Sequence, residues 1–374
     1  MEARSEDFPR ERLTPKTAYE KWQEEEKIPI LKAFYIEDVL KVELEPWERV
    51  GGKGAFLNMA GSENTNGAYL CEIPPGKGLK PQRHLYEEMI YVLSGRGGAT
   101  ICNEGGAKQT FEWQAGSLFS PPLNCWFQLF NGSGGEPARF LSVTTAPLAM
   151  NLFHNAHFIF HSDYNFTDRF DGQTGYFTEK KEPARTHVWE TNFVSNLGTF
   201  EPRSSLEATG KVEKRGVGIR RAIFEMASNV LCAHISEWKP GVYKKAHRHG
   251  PGANILILAG RGYSLLWQEG RPRQRVDWRP GSLFVPPPQW FHQHFNTSPT
   301  PVRFVALRWS NKFSLGSVFG YEGFNTDVKE GGNQIEWEDQ GPEIHELFVK
   351  ECAKAGAQVA PELQQIFDQG KARG

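Results

Sequence analysis

The chain has 374 residues, which is enough for two ordinary domains or one large one. Its 43 Lys and Arg residues nearly cancel its 44 Asp and Glu residues, so the net charge gives no reason to expect a nucleic acid or an anionic membrane as a partner. The five cysteines include no CxxC pair, which argues against a disulfide framework and favours a reducing compartment.

Residues 1–55 predict an N-terminal arm of helix and extended chain. A helix is expected after Thr14, its predicted N-cap, with Pro15 at the first helical position. The start of the arm is charged and lacks the apolar stretch of a secretory signal. No run in the chain reaches the roughly 18 apolar residues that a membrane helix needs. We therefore expect a cytoplasmic protein without membrane contacts.

Residues 56–148 predict a first β-barrel. Short runs of Val, Ile, Leu, Phe and Tyr are bounded there by Gly, Pro and Asn, and the segment VLSGRGGAT has the pattern of strand, glycine turn and strand. The next segment, residues 149–215, is too rich in aromatic residues for a flexible linker. It is predicted to be a packed connector between two barrels.

Residues 216–312 repeat the first barrel. The segment 72–97 aligns without a gap to the segment 237–262, so that His84 and His249 are equivalent positions 165 residues apart. The segment 113–131 aligns to 278–296 with the same offset. The chain is therefore predicted to contain two copies of one domain, followed by a C-terminal extension (313–374) with a helix.

The second copy resembles the cupins, a superfamily of small β-barrels that carry two short motifs. Residues at the positions of the first motif are Gly241, His247, His249 and Gly260, and those at the positions of the second are Gly281, Pro287, His292 and Asn296. The resemblance implies an all-β bicupin. Its two double-stranded β-helix (jelly-roll) barrels would lie in tandem, with flanking helices at both termini.

The resemblance also implies a metal site in the second barrel. The ligand positions hold His247, His249 and His292, and the usual glutamate position holds Ala253. Residues i and i+2 of a strand share a face, so the first two imidazoles can converge. We expect one divalent metal per chain, with Fe(II) favoured and Mn, Ni or Zn as alternatives. The competing interpretation is three polar side chains that are hydrogen-bonded inside a barrel.

The first barrel departs from this ligand set. Its equivalent positions hold Gln82, His84, Glu88 and Phe127. Phenylalanine cannot bind a metal, and glutamine is a poor ligand beside imidazole. The favoured interpretation is a retired site that is kept for folding, and the alternative is a degenerate second metal site formed by Gln82, His84 and Glu88.

Other polar residues are candidates for contacts with a substrate. His294 follows His292 by two residues, so it can face inward and act as an acid or base, or hydrogen-bond near the substrate; the alternative is a packed histidine at the barrel mouth. Arg303 or Arg308 could hold a carboxylate. Arg248 lies between two predicted ligands, and strand alternation should turn it away from the metal.

Three-histidine cupins resemble gentisate and salicylate dioxygenases. The resemblance implies an oxidoreductase in which a small anionic aromatic or enolic substrate chelates the metal and O2 cleaves it. Two alternatives remain open: a metal-dependent isomerase, decarboxylase or hydrolase that does not use O2, and a non-catalytic ligand-binding or sensor cupin. The expected partners are the small anion and O2, with no nucleic acid, and the chain is expected to form a homo-oligomer.

Overall fold

A computed structural model of the protein describes residues 15–371 except 63, 205, 208–214, 251 and 310–325. Thr14 therefore lies outside the described residues. The first helix, α1 (Ala18–Glu25), begins after Thr17 and not at Pro15. The Thr17 hydroxyl accepts a hydrogen bond from the Glu20 N–H (3.2 Å), and the Glu20 carboxylate accepts one from the Thr17 N–H (2.8 Å). This capping box satisfies two backbone donors and fixes the helix start three residues later than predicted.

The structure is mostly β and consists of two barrels in tandem with helices at both ends, which confirms the predicted fold class. The strands of the first half are β1 (Ile30–Ala33), β2 (Tyr35–Ile36), β3 (Glu45–Trp47), β4 (Gly52–Met59), β5 (Gly67–Ile73), β6 (Glu88–Ser94), β7 (Arg96–Cys102), β8 (Gln109–Gln114), β9 (Leu118–Phe119), β10 (Trp126–Asn131) and β11 (Ala138–Thr144). The connector then forms α2 (Ala146–Phe153), α3 (Ala156–His161), β12 (Val188–Glu190), β13 (Phe193–Val194) and β14 (Arg203–Ser204).

The second half has the same succession of strands. They are β15 (Ile219–Glu225), β16 (Leu231–Trp238), β17 (Asn254–Ala259), β18 (Gly262–Trp267), β19 (Gln274–Trp278), β20 (Leu283–Phe284), β21 (Phe291–Asn296) and β22 (Val302–Trp309). Two helices, α4 (Pro342–Lys354) and α5 (Pro361–Lys371), follow at the C-terminus. Ile344, Phe348 and Leu363 from these helices are buried in the apolar core of the second barrel.

Each barrel is built from a large sheet that faces a small one. The large sheet of the first barrel has the strand order β1-β4-β5-β11-β6-β9-β13, and that of the second has the order β12-β15-β16-β22-β17-β20-β2. The small sheets are β10-β7-β8 and β19-β18-β21. The two orders correspond strand for strand, so the sequence repeat is also a repeat of the fold.

A glycine in each small sheet explains part of the sequence repeat. Gly97 on β7 lies opposite Asn131, and Gly262 on β18 lies opposite Asn296. A Cβ on Gly97 would lie 1.8 Å from the carbonyl oxygen of Phe130, and one on Gly262 would lie 2.0 Å from that of Phe295. Any side chain at either position would push the neighbouring strand away, so both barrels require glycine there.

The two barrels exchange strands at their edges. Strand β2 of the N-terminal arm pairs with β20 of the second barrel, and β13 of the connector pairs with β9 of the first barrel. Arginines fasten the exchanged segments: Arg139 donates to the carbonyl oxygen of Leu40 (2.7 Å), and Arg303 donates to those of Leu197 (2.8 Å) and Gly198 (2.7 Å). One apolar core contains residues of both large sheets.

Arg303 is therefore a structural residue, and its suggested role as a substrate clamp is wrong. It pairs with Glu237 on the neighbouring strand, as Arg139 pairs with Glu72 in the first barrel.

The domain boundaries given above stay a prediction. Among the described residues, no helix has the length and apolar character needed to cross a bilayer.

Replacing Arg303 with methionine should lower the free energy of unfolding by about 3 kcal/mol, because it leaves the poorly exposed Glu237 carboxylate with only the more distant Arg220 (4.0 Å) and two carbonyls without this donor. Urea denaturation measures the change. Arg273→Met is the matched control, since Arg273 is an exposed arginine that pairs with the exposed Glu343, and it should change stability by no more than about 0.5 kcal/mol. Equal stability of the parent and the Arg303 variant would contradict this role for Arg303.

Candidate metal centre

The three predicted ligand histidines come together at one end of the second barrel. One ring nitrogen from each of His247, His249 and His292 lies within 4.8 Å of the others. The backbones of His247 and His292 form an antiparallel bridge, in which His247 N–H donates to the His292 carbonyl (3.1 Å) and His292 N–H donates to the His247 carbonyl (2.8 Å). The N–H of Gln289 donates to the carbonyl of His249 (2.9 Å). Backbone hydrogen bonds therefore hold all three side chains in place.

Each of the three rings has one nitrogen beside a backbone carbonyl oxygen. Nδ1 lies 3.0 Å from the Lys245 oxygen in His247, 2.9 Å from the Gly250 oxygen in His249 and 3.1 Å from the Trp290 oxygen in His292. A carbonyl only accepts, so Nδ1 carries the proton in each ring. The lone pair is then on Nε2, which is the arrangement of a metal-binding imidazole with its second nitrogen fixed by the protein.

Burial keeps these imidazoles neutral. It lowers the pKa of His249 to about 4, with a smaller lowering contribution from Arg308 and Arg215. Burial also holds the pKa values of His247 and His292 well below their usual range, and nearby positive charges add to this effect. A neutral imidazole is the form that binds a metal, so the donor set fits a divalent ion.

The same backbone frame in the first barrel carries a different set of side chains. Gln82 and Phe127 form the bridge that is equivalent to the one between His247 and His292. His84 Nε2 lies 2.9 Å from the carboxylate of Glu88, and the ring of Phe127 meets that of His84 edge-on. Hydrogen bonds from Tyr69 and Ser142 also reach Glu88. The carboxylate is thus occupied by protein partners, which favours the interpretation of a retired site.

A cavity of about 100 Å³ lies next to the three histidines. Besides apolar side chains, the described residues that line it include His234, His294 and four cationic residues: Arg215, Arg221, Lys244 and Arg308. No described lining residue is acidic. Arg215 is 8% exposed and Lys244 is 9% exposed, so positive charge is placed inside the barrel and not only at its rim. Such a cavity is electrostatically suited to an anion.

The structure places the remaining predicted residues as follows. His294 lines the cavity, with its ring centroid 5.4 Å from that of His292, and its Nδ1 lies 2.7 Å from the Ser264 hydroxyl. Arg308 lines the cavity, whereas Arg303 does not. Arg248 points away, as expected, and donates to Asn333 and Glu269.

Five polar lining residues were not predicted: Arg215, Arg221, His234, Ser236 and Lys244. Strand alternation could have identified two of them, because His234 lies between Ala233 and Ile235, and Arg221 shares a face of its strand with the apolar Ile219 and Ile223. The choice between the inward and the outward face required the register of β15 against β16, which the sequence did not provide.

Comparison with known proteins identifies the fold of the first half. The family model of the cupin domain matches residues 69–144. This match lies within the first barrel. No curated protein matches the chain in sequence. The cupin fold of the second barrel follows from its corresponding strand order.

Solved structures with a similar fold include oxalate decarboxylases. One is 15% identical, covers 76% of this chain and 79% of its own, and has a TM-score of 0.48. A mutant of the Bacillus subtilis oxalate decarboxylase is 14% identical with the same coverage and TM-score. A further structure of the Bacillus subtilis enzyme, determined in a study of its Mn(II) centres, is 15% identical, covers 76% and 79% of the two chains and has a TM-score of 0.47. The resemblance to gentisate and salicylate dioxygenases stays a prediction.

Metal content should distinguish the two barrels. We expect His292→Ala to lose its metal while remaining folded, because the set has only three ligands and Ala253 supplies no fourth. His84→Ala should keep the metal but lose about 3 kcal/mol of stability, because it removes the partner of the buried Glu88 carboxylate. Elemental analysis and urea denaturation of both variants provide the measurements. Metal loss in the His84 variant alone would place the site in the first barrel, and two metals per chain in the parent would mean that both barrels hold one.

Proposed function

We propose that the second barrel is the active site of a metal-dependent enzyme that converts a small anionic substrate. The metal would be held by Nε2 of His247, His249 and His292. The observation that carries this proposal is the cationic cavity beside three neutral imidazoles with a common tautomer. A divalent ion, Fe(II) or Mn(II), would supply Lewis acidity toward a coordinated substrate oxygen.

The charges around the cavity favour an anion over a neutral substrate. The three imidazoles bring no negative charge, so a bound dication would keep its full charge. Lys244 and three arginines add to it within a poorly solvated interior. At an effective dielectric constant of about 20, two unit charges 4 Å apart interact by about 4 kcal/mol. A carboxylate between the ion and these side chains would therefore be bound and oriented mainly by electrostatics.

The size of the cavity narrows the class of substrate. An engineered protein cavity of about 150 Å³ holds one benzene molecule. The cavity here is smaller, about 100 Å³. A short aliphatic or enolic acid fits this volume better than a hydroxybenzoate. Of the substrates expected from the sequence, the aromatic acid is thus the less favoured.

His294 is the proposed acid–base group of the site. Its Nδ1 lies 2.7 Å from the Ser264 hydroxyl, which also accepts a hydrogen bond from the indole N–H of Trp278 (2.9 Å). Nε2 is therefore the nitrogen left to face a substrate. Burial holds the pKa of His294 well below its usual range, and Lys244 lowers it further, so the ring is neutral and can exchange a proton with the substrate.

The reaction class best supported by these features is a redox-neutral conversion, such as decarboxylation or isomerisation of the acid. A small acid fills the cavity and leaves little space for O2 beside it. O2-dependent cleavage is the second candidate, because a divalent ion held by only three protein ligands would keep positions for a substrate and for O2. Both candidates use the same residues and the same type of substrate.

Anaerobic turnover distinguishes these two reactions. The metal-loaded protein would be incubated with short aliphatic mono- and dicarboxylic acids, enolic acids and hydroxybenzoates, with and without O2, while substrate loss, CO2 release and O2 uptake are followed. We expect conversion of an aliphatic or enolic acid without O2 uptake, and no conversion by His292→Ala. Conversion that requires O2 would favour the second candidate. If neither condition gave turnover of any acid, the enzyme proposal would be wrong.

Replacing Ala253 with glutamate tests the charge argument. Ala253 lines the cavity and is 5% exposed, so the new carboxylate would lie among the cations and beside the three imidazoles. We expect the variant to retain metal and to bind carboxylates at least 10-fold more weakly, as measured by calorimetry. Ala253→Gln has a similar size without the charge, and it should weaken binding less. Equal losses in both variants would attribute the effect to size alone.

A further inference from the structure

A second group of polar side chains lies on the large sheet of the same cavity. His234 is on β16, between β15 and β22, where it is opposite Ile223 on one side and Ala306 on the other. Arg221 is opposite Ser236, and Arg308 is opposite Cys232. Both arginines are thus diagonal neighbours of His234, one on each flanking strand, at the roughly 7–8 Å spacing of diagonal pairs. All three side chains line the cavity.

The His234 side chain lines the cavity and has a buried ring nitrogen, Nδ1, without a hydrogen-bond partner among the described residues. A buried ring nitrogen without a partner costs free energy unless something in the cavity binds it. Burial, with Arg308 and Lys244 nearby, holds the pKa of His234 well below its usual range, and the neutral ring keeps an N–H that can donate to an anion.

The fold itself does not require these charges. In the first barrel, Gly54 lies opposite Cys71 as Arg221 lies opposite Ser236. Tyr69 occupies the place of His234, since it lies opposite Phe56 as His234 lies opposite Ile223. Thr144 lies opposite Gly67 as Arg308 lies opposite Cys232. One barrel of this chain thus folds without any of the three, so their presence in the other calls for a ligand.

We propose that Arg221, His234 and Arg308 form a second anion subsite, which binds a carboxylate at the end of the substrate remote from the metal. This inference rests on the proposed function and adds that the substrate is a short dicarboxylate. One carboxylate would lie at the three metal-ligating histidines and the other between the two guanidinium groups. Arginine suits this role because it can pair with a carboxylate through two parallel hydrogen bonds.

Calorimetry with simple acids tests the subsite. The probes are malonate, succinate and glutarate, each compared with the monocarboxylate of the same chain length, on the Mn(II)-loaded protein. We expect at least one dicarboxylate to bind 10-fold or more tightly than its monocarboxylate. Arg221→Gln and Arg308→Gln should each weaken dicarboxylate binding about 10- to 100-fold, the loss that corresponds to a hydrogen bond to a charged group. The same variants should weaken monocarboxylate binding far less, because only the general positive charge of the cavity is reduced for that acid.

The control is Arg220→Gln, which removes a partly exposed arginine next to Arg221 in the chain and should leave binding of both acids unchanged. Arg308→Lys and Arg221→Lys keep the positive charge but cannot form the bidentate hydrogen bonds of a guanidinium group. They should therefore lose part of the preference for dicarboxylates. These lysine variants also decide the matter if the glutamine variants do not fold.

Binding measurements on the metal-free protein distinguish a failure of this proposal from a failure of the proposed function. After removal of the metal, the parent should still bind the preferred dicarboxylate weakly, and Arg308→Gln should abolish that binding. If the protein holds no Mn(II) but shows this behaviour, the metal proposal fails and the subsite stands. Two results would overturn the subsite: no preference for dicarboxylates in the parent, or equal losses of mono- and dicarboxylate binding in the arginine variants.

Discussion

The site depends on a backbone bridge between two segments that are far apart in the chain. The N–H and carbonyl groups of His247 and His292 pair with each other, so the segment before β17 is fixed against β21. The bridge brings the two rings to a centroid distance of 4.3 Å, and carbonyl oxygens then fix each ring through Nδ1. The backbone thus sets both the position and the tautomer of the rings, which leaves little for a metal to reorganise.

The first barrel has the same backbone bridge without the three predicted metal-ligating histidines. Gln82 and Phe127 make the same bridge, yet the space between the sheets is filled by hydrogen bonds among Glu88, His84 and Tyr69. A buried carboxylate is tolerated there because the protein supplies its partners. The frame is therefore a property of the fold, and the chemistry is a property of the side chains placed on it.

The sequence predicted most of the fold and the three histidines because both depend on local patterns. The repeat at a fixed offset indicated two barrels, and the motif spacing identified His247 and His249 as a pair. Strand alternation was the wrong reason for that pairing, because both residues lie in the irregular segment before β17, where His247 forms only an isolated bridge. Arg221, His234 and Lys244 were missed and Arg303 was misassigned because their roles depend on which face of the sheet they occupy and on which segment crosses to the other barrel. Both are long-range properties of register and strand exchange, which no local pattern contains.

If the second barrel binds an anion as proposed, its cavity sacrifices stability for binding. Arg221, Arg308 and Lys244 all act on His234 in the same direction, which means that like charges are gathered in one small interior. Like charges in a poorly solvated space oppose folding, and the first barrel avoids this arrangement with an internal histidine–carboxylate pair. An anion that entered the second barrel would relieve the repulsion and gain the same interactions as binding free energy. The buried like charges depart from the rules for a stable core, and such departures are where function is expected. The hydrogen bonds of Arg303 to the exchanged segment help to stabilise the fold that contains these charges.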